Sequence, residues 1–270
     1  MTRWLLAPAA LLATLALAAP ADAHRQWMLP STTVLSGTDG WVTVDAAIST
    51  DPYVADHNPM KLDGIAVTAP DGSTGTIENG ATGKFRSTFD VHLTSPGTWK
   101  IAGGMQAVMA SWTADGQPKR WRGSAEEFAR AVPADAPDLK VSEMQSRNEL
   151  FVTLGAPDTA VLKPAGKGLE FAPVTHPDDL VADEPATFGF LVDGRPAAGV
   201  QVTLIPGGRR FRDQANEMPF STDAKGRVSV KWPGPGVYWL QATLTDAKTS
   251  VPQAKERRLS YTTTIEVMAP

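Results

Sequence analysis

Residues 85–102, FRSTFDVHLTSPGTWKIA, decide the fold. Phe89, Val91 and Leu93 recur with the two-residue period of a half-buried strand. Pro96-Gly97 supplies a turn, and Thr98 to Ala102 (TWKIA) reads as a second strand beyond it. The same pattern of Pro-Gly followed by an aromatic strand returns at Pro235-Gly236-Val237-Tyr238-Trp239-Leu240. Working outward, His24 to Pro30 reads as a first strand and Trp41 to Ile48 as a second. Ile65 to Ala69 follows, closed by Pro70-Asp71-Gly72-Ser73. The 23 glycines and 22 prolines of the 270 residues punctuate many short strands rather than long helices. Turn signals every ~8–12 residues are the spacing of an antiparallel sandwich.

The segment 115–138 breaks this rhythm with Pro118, Pro133, Pro137 and many charges, and is expected to be an insertion. Ser124 followed by Glu127 is a capping box, which predicts one short helix over Glu126 to Val132. Asn148 to Leu154 predicts a strand that returns to the first domain, and 156–168, rich in Pro, Gly and Lys, a linker. From Leu169 the strand pattern restarts, with Asp193-Gly194 as a hairpin turn and further strands at 186–192, 200–205, 227–232, 237–242 and 261–267. The expectation is an all-β protein of two antiparallel β-sandwich domains, immunoglobulin-like or carboxypeptidase-regulatory-like, over 24–155 and 169–270, with one short helix in the connection. Most of the tryptophans fall at apolar strand positions and are expected to fill cores.

Residues 1–23 predict a cleavable secretory signal peptide: Arg3 at the start, an apolar run interrupted by Pro8, and the small-x-small site Ala21-Asp22-Ala23. The apolar run is too short for a membrane span, and no other segment is apolar enough for one. Export of a chain with no cysteine fits a bacterial periplasm. Absence of cysteine also removes disulfides, thiolate nucleophiles and Cys-type zinc or iron–sulfur sites. A formal net charge of −4 with no basic run gives nucleic acid no electrostatic footing. No nucleophile elbow, Walker loop, His-Glu-x-x-His or dinucleotide fingerprint occurs, so an enzyme is not expected.

Four histidines remain: His24, His57, His92 and His176. Cleavage after Ala23 makes His24 the first residue. Its α-amine and Nδ1 then close a six-membered chelate on a metal, and the amine, with a reference pKa of ~7.7–8.0, gives up its proton readily near neutrality. A third nitrogen completes a site suited to Ni(II), Co(II) or Cu(II). His57, in the polar loop Asp56-His57-Asn58-Pro59, is the candidate third ligand, with Asp56 as a ligand or orienting partner. His92 is expected to point outward with Asp90 from the face opposite Phe89, Val91 and Leu93, and His176 to be a turn histidine bonded to nearby backbone.

Four stretches carry a family resemblance: Ala23-His24 with Trp27 and Pro30; Gly168 to Leu180 (GLEFAPVTHPDDL); Asp193-Gly194-Arg195-Pro196 with Gly199, Val200 and Val202; and Thr222-Asp223 with Gly226. Together they resemble the DUF4198 family, periplasmic components associated with nickel and cobalt uptake systems. The resemblance implies an exported, metal-related, non-catalytic protein beginning at His24. It implies as partner a membrane metal transporter or outer-membrane receptor. Two alternatives stand beside it: a copper histidine-brace enzyme acting oxidatively on a polysaccharide, and a metal-free structural module.

Overall fold

The structure, a computed structural model, describes residues 24–270; the expected signal peptide lies outside them. The first strands are β1 (Arg25–Pro30), β2 (Val34–Leu35), β3 (Gly40–Ser49), β4 (Asn58–Pro59), β5 (Ala66–Thr68), β6 (Thr74–Gly75), β7 (Glu78–Thr82) and β8 (Ser87–Leu93). Then come the long β9 (Gly97–Ala114), β10 (Gln117–Gly123), α1 (Ala125–Ala131) and β11 (Lys140–Leu154). The remainder is β12 (Leu169–Phe171), β13 (Ala186–Val192), β14 (Arg195–Pro196), β15 (Gln201–Pro206), β16 (Met218–Ser221), β17 (Arg227–Val230), β18 (Gly236–Asp246) and β19 (Ala254–Val267).

A small sheet runs β1-β3-β8-β7, with β4 on β3. A ten-stranded sheet runs β16-β15-β18-β19-β11-β9-β5-β6, with β10 on β9 and β2 on β11. A third sheet holds β12, β13, β14 and β17. The protein is therefore all-β and sandwiched, as the strand spacing predicts. The large sheet joins strands from both ends of the chain: β11 pairs antiparallel with β9 and parallel with β19, from Ser142↔Glu256 to Glu149↔Thr263.

Two main cores lie on the faces of that sheet. In the first, Met28, Val44, Phe89, Val91 and Leu93 of the small sheet meet Trp99, Ile101, Leu150, Val152 and Leu154 of the large one. In the second, Phe171, Phe188, Phe190, Val230, Leu240 and Tyr261 pack together with Phe151. Adjacent residues of β11 thus enter different cores. That is why 148–154 is an uninterrupted buried run rather than an alternating one.

Residues 85–102 form their two strands, but not as a hairpin. β8 lies in the small sheet and β9 in the large one, so Pro96-Gly97 carries the chain across the sandwich. Both apolar faces then turn into the same core instead of lying side by side. The crossing demands glycine: Gly97 has φ +124°, and a Cβ there would stand 2.3 Å from Asp158 Oδ2 and 2.7 Å from Pro70.

In 115–138 the helix forms one residue earlier than its pattern predicts, on the expected capping box: Glu127 N donates to Ser124 Oγ (3.2 Å) and Ser124 N to Glu127 Oε2 (2.9 Å). The same segment also holds β10, which pairs with β9 across Asp115-Gly116, both in the left-handed region at φ 52° and 71°. An Asp-Gly pair of this kind is a hairpin turn; the charged, non-alternating GQPKRWRG behind it hides the strand. Residues 156–168 are bonded to both halves: Asp158 Oδ2 accepts from Thr98 N (3.0 Å) and Gly168 N donates to Asp193 Oδ1 (2.9 Å).

Because β11 serves both cores, unfolding is expected to be one transition. Leu150→Ala should cost about 2–5 kcal/mol and shift tryptophan fluorescence and far-ultraviolet dichroism together in urea. Two separated transitions would contradict the shared sheet.

Candidate functional site

β3 is flanked at one end by two strands, and each carries a histidine at its entrance. Ile48 pairs with Gln26 of β1 on one side and with Asn58 of β4 on the other. His24 and His57 immediately precede these strands and so reach the same end of β3. Their imidazoles stack, with ring centres 3.6 Å apart and planes 10° from parallel. Both are exposed. Residues 33 positions apart in sequence are brought to one end of β3 by their strands' common pairing with it.

The loop beneath them is closely held. Trp27 Nε1 donates to Ser49 Oγ (2.7 Å), which donates to Asp51 O (2.6 Å). Asp56 is exposed, and its Oδ1 accepts from Thr50 N (3.1 Å). This bond makes Asp56 a loop-shaping residue whose Oδ2 has no hydrogen-bond partner among the described residues. β1 itself is anchored by the large sheet: Trp239 Nε1 donates to Gln26 O (2.8 Å) and the Thr264 hydroxyl to Met28 O. Trp27, on the face opposite Met28, packs with Ala47, Ile205 and Trp239.

Two imidazoles in contact, with Asp56 next in sequence to one of them, are a partial set of metal donors. Among the described residues no group of three His, Asp or Glu is placed to hold a metal. The missing nitrogen in this donor set is the α-amine that cleavage before His24 would free. With it, the residues fit the nitrogen-rich site of a late first-row metal.

The other two histidines are engaged elsewhere. His92 faces outward, stacked on Trp41 at 4.2 Å, with Nε2 2.8 Å from Asp39 Oδ2. Trp41 is 46% exposed, so this tryptophan does not fill a core. His176 accepts from Asp178 N at Nδ1 (3.1 Å). Its Nε2 therefore carries the proton and donates to Asp158 O (2.9 Å), with Thr98 Oγ1 also at 3.1 Å. Burial holds the His176 pKa below the usual histidine range, so the ring stays neutral.

The 168–180 motif, which contains His176, fastens the two halves. Glu170, 3% exposed, accepts from Ala165 N (2.7 Å), Gly166 N (2.8 Å) and Lys167 N (3.1 Å). Asp178 is buried and accepts from Thr153 Oγ1 (2.7 Å), and Thr153 in turn meets Thr98 Oγ1 at 3.0 Å. Desolvation pushes the Asp178 carboxyl up to about 7. Asp193 accepts from Arg257 Nη2 and from Lys248 Nζ, both at 2.9 Å, and Arg257 foremost holds its carboxyl well below the usual range. Sequence reasoning missed Asp178, Arg257 and the acid–base groups around Arg25. Their partners lie 11 to 192 residues away and leave no local pattern.

Residues 21–246 match the DUF4198 family, described as a domain of unknown function. No curated protein matches the sequence. Among solved structures, the D0-D1 domain of intimin aligns at 11% identity over 89% of this chain and 97% of its own, with a TM-score of 0.23. The tandem V-type regions of a chitin-binding protein, VCBP3, align at 10% identity over 88% and 98%, with a TM-score of 0.20. An Escherichia coli alpha-2-macroglobulin aligns at 10% over 91% of this chain and 31% of its own, with a TM-score of 0.22. No residue role is carried over from them.

Asp178 gives a pH signature to the fastening. A carboxyl whose folded pKa is raised stabilises the fold fully only below its unfolded pKa of ~3.9, and that stability is lost as pH rises through about 7. Asp178→Asn keeps an acceptor for Thr153 and cannot ionise. It should leave stability at pH 4 nearly unchanged and raise it at pH 8 by up to about 4 kcal/mol. Equal effects at both pH values, measured by urea unfolding, would refute the assignment.

Proposed function

Since the chain belongs to the DUF4198 family and stacks His24 on His57, we propose that it is an exported periplasmic protein that binds a divalent transition metal (nickel, cobalt or copper) at its mature N-terminus, and serves as an accessory or delivery component of a metal uptake system. The observation that carries the proposal is the 3.6 Å stack of two histidines on separate strands. The His24 amine and Nδ1 would chelate the metal, His57 would add an imidazole, and Asp56 stands ready as a further donor or orienting group. Both rings are solvent-exposed, which suits a site that must hand its metal to a membrane transporter or outer-membrane receptor. No helix among the described residues is long and apolar enough to cross a membrane.

Delivery is favoured over copper-dependent oxidation of a polysaccharide by where the aromatics lie. An oxidative brace on a sugar polymer calls for a flat aromatic surface around the metal. Among the described residues the exposed aromatics form no such surface: Trp41 sits at the opposite end of β3 from the histidine pair, roughly 25–30 Å away at ~3.3 Å per residue, Phe85 precedes β8, and Phe211 is a single ring on the loop between β15 and β16.

Titration of Ni(II) and Cu(II) into protein with the native His24 terminus tests the proposal. One extra residue before His24 should weaken binding although every side chain remains. His24→Ala should weaken it further, and His57→Ala should cost at least about tenfold, or ~1.4 kcal/mol. His92→Ala and His176→Ala should be neutral. Equal affinity of the extended and native termini would overturn the chelate.

A further inference from the structure

Arg25, which follows His24 directly, lies at the centre of a half-buried polar lattice. Its Nη1 donates to Thr50 O (2.9 Å) and stands 3.6 Å from Asp51 Oδ1. Its Nη2 donates to Glu217 Oε1 (2.6 Å). The guanidinium also lies over the ring of Trp239, 5.8 Å from its centre. Asp51 Oδ2 in turn stands 3.2 Å from Arg209 Nε, an ion pair without hydrogen-bond alignment. Arg209 and Glu217 sit at the two ends of the loop between β15 and β16, nearly two hundred residues from His24, and Gly207 of that loop approaches the Tyr53 ring.

The lattice ties together the two segments that present the histidines. Arg25 fixes the start of β1, and Thr50 and Asp51 open the loop leading to His57. Thr50 is bonded on both sides, its carbonyl to Arg25 and its N–H to Asp56 next to His57. Isolated surface ion pairs contribute little, but one arginine shared among a carbonyl and two carboxylates sets a direction that a single pair does not. The first described residues are thereby held against the protein.

We propose that Arg25, with Asp51, Arg209 and Glu217, forms a clamp that positions His24 against His57, so that the second half of the chain sets the geometry of the N-terminal metal site. In its consequence for metal affinity the clamp presupposes the site proposed above; in its effect on ring stacking it does not. Glu217 and Arg209 touch neither imidazole and act as positioning residues. Relaxing such supports typically costs ~10–100-fold in metal affinity.

The test uses mature full-length protein beginning at His24, with Glu217→Gln, Glu217→Asp and Arg25→Gln variants. Without metal, the ring protons of His24 and His57 should show mutual upfield displacement in NMR spectra. That displacement should diminish in Glu217→Gln and Arg25→Gln and persist in Glu217→Asp. With Cu(II), Glu217→Gln should bind about tenfold more weakly, and its EPR spectrum should move toward that of His57→Ala while urea stability stays close to the parent's. If Glu217→Gln and Arg25→Gln keep both the ring displacement and the parent's Cu(II) spectrum and affinity, the clamp is wrong. If the parent binds no Cu(II) yet the variants lose the ring displacement, the clamp stands and the metal site falls.

Discussion

The parallel pairing of β11 with β19 is the constraint on which the rest of the molecule depends. Antiparallel neighbours in a sandwich are joined by short turns, whereas a parallel pair can be made only by strands from distant parts of the chain. Here it brings the strand ending at Leu154 beside the strand that closes the protein. β11 is then buried on both faces: Leu150, Val152 and Leu154 enter one core while Phe151 enters the other. β1 inherits its position from the same arrangement. Its outward carbonyls at Gln26 and Met28 receive hydrogen bonds from Trp239 and Thr264 of the far half. The first residues of the described chain are thus placed by some of its last.

The family motif at 168–180 is explained by this junction rather than by chemistry at a site. Glu170 gathers the N–H groups of the preceding turn, so a buried carboxylate is satisfied where backbone donors would otherwise be orphaned. His176 and Asp178 reach across to Thr98 and Thr153 on β9 and β11. Asp193 is shared by the turn at Gly168, by Lys248 and by Arg257. These are polar groups taken out of water and mutually satisfied, and removing any one partner would leave another buried without compensation.

Much of this was legible in the sequence because it is local. The period-2 run of β8, the capping box at Ser124 and the Asp193-Gly194 turn are fixed by neighbouring residues, and all three form. The two strands and the turn of 85–102 are legible, but the sheet each strand joins is not. A turn shows that the chain reverses, not whether it stays in its sheet or crosses to the facing one. β10 was missed because this edge strand on β9 turns only Trp121 inward, toward Phe128, and leaves its charged residues exposed. At the candidate site, His24, Asp56 and His57 could be singled out by residue type and by the cleavage site expected before His24. Their support could not: Arg25 with Glu217 and Arg209 with Asp51 are long-range pairs whose partners only the closed sheet brings near.

The central claim, that the N-terminal histidine and His57 share one metal ion, is most directly tested by pulsed EPR on the mature protein loaded with one equivalent of Cu(II). Two imidazoles, one of them lost on His57→Ala, together with a directly bound amine nitrogen, are the result the account predicts. A copper signal that keeps its imidazole count in His57→Ala, or no stoichiometric copper at all, would contradict it.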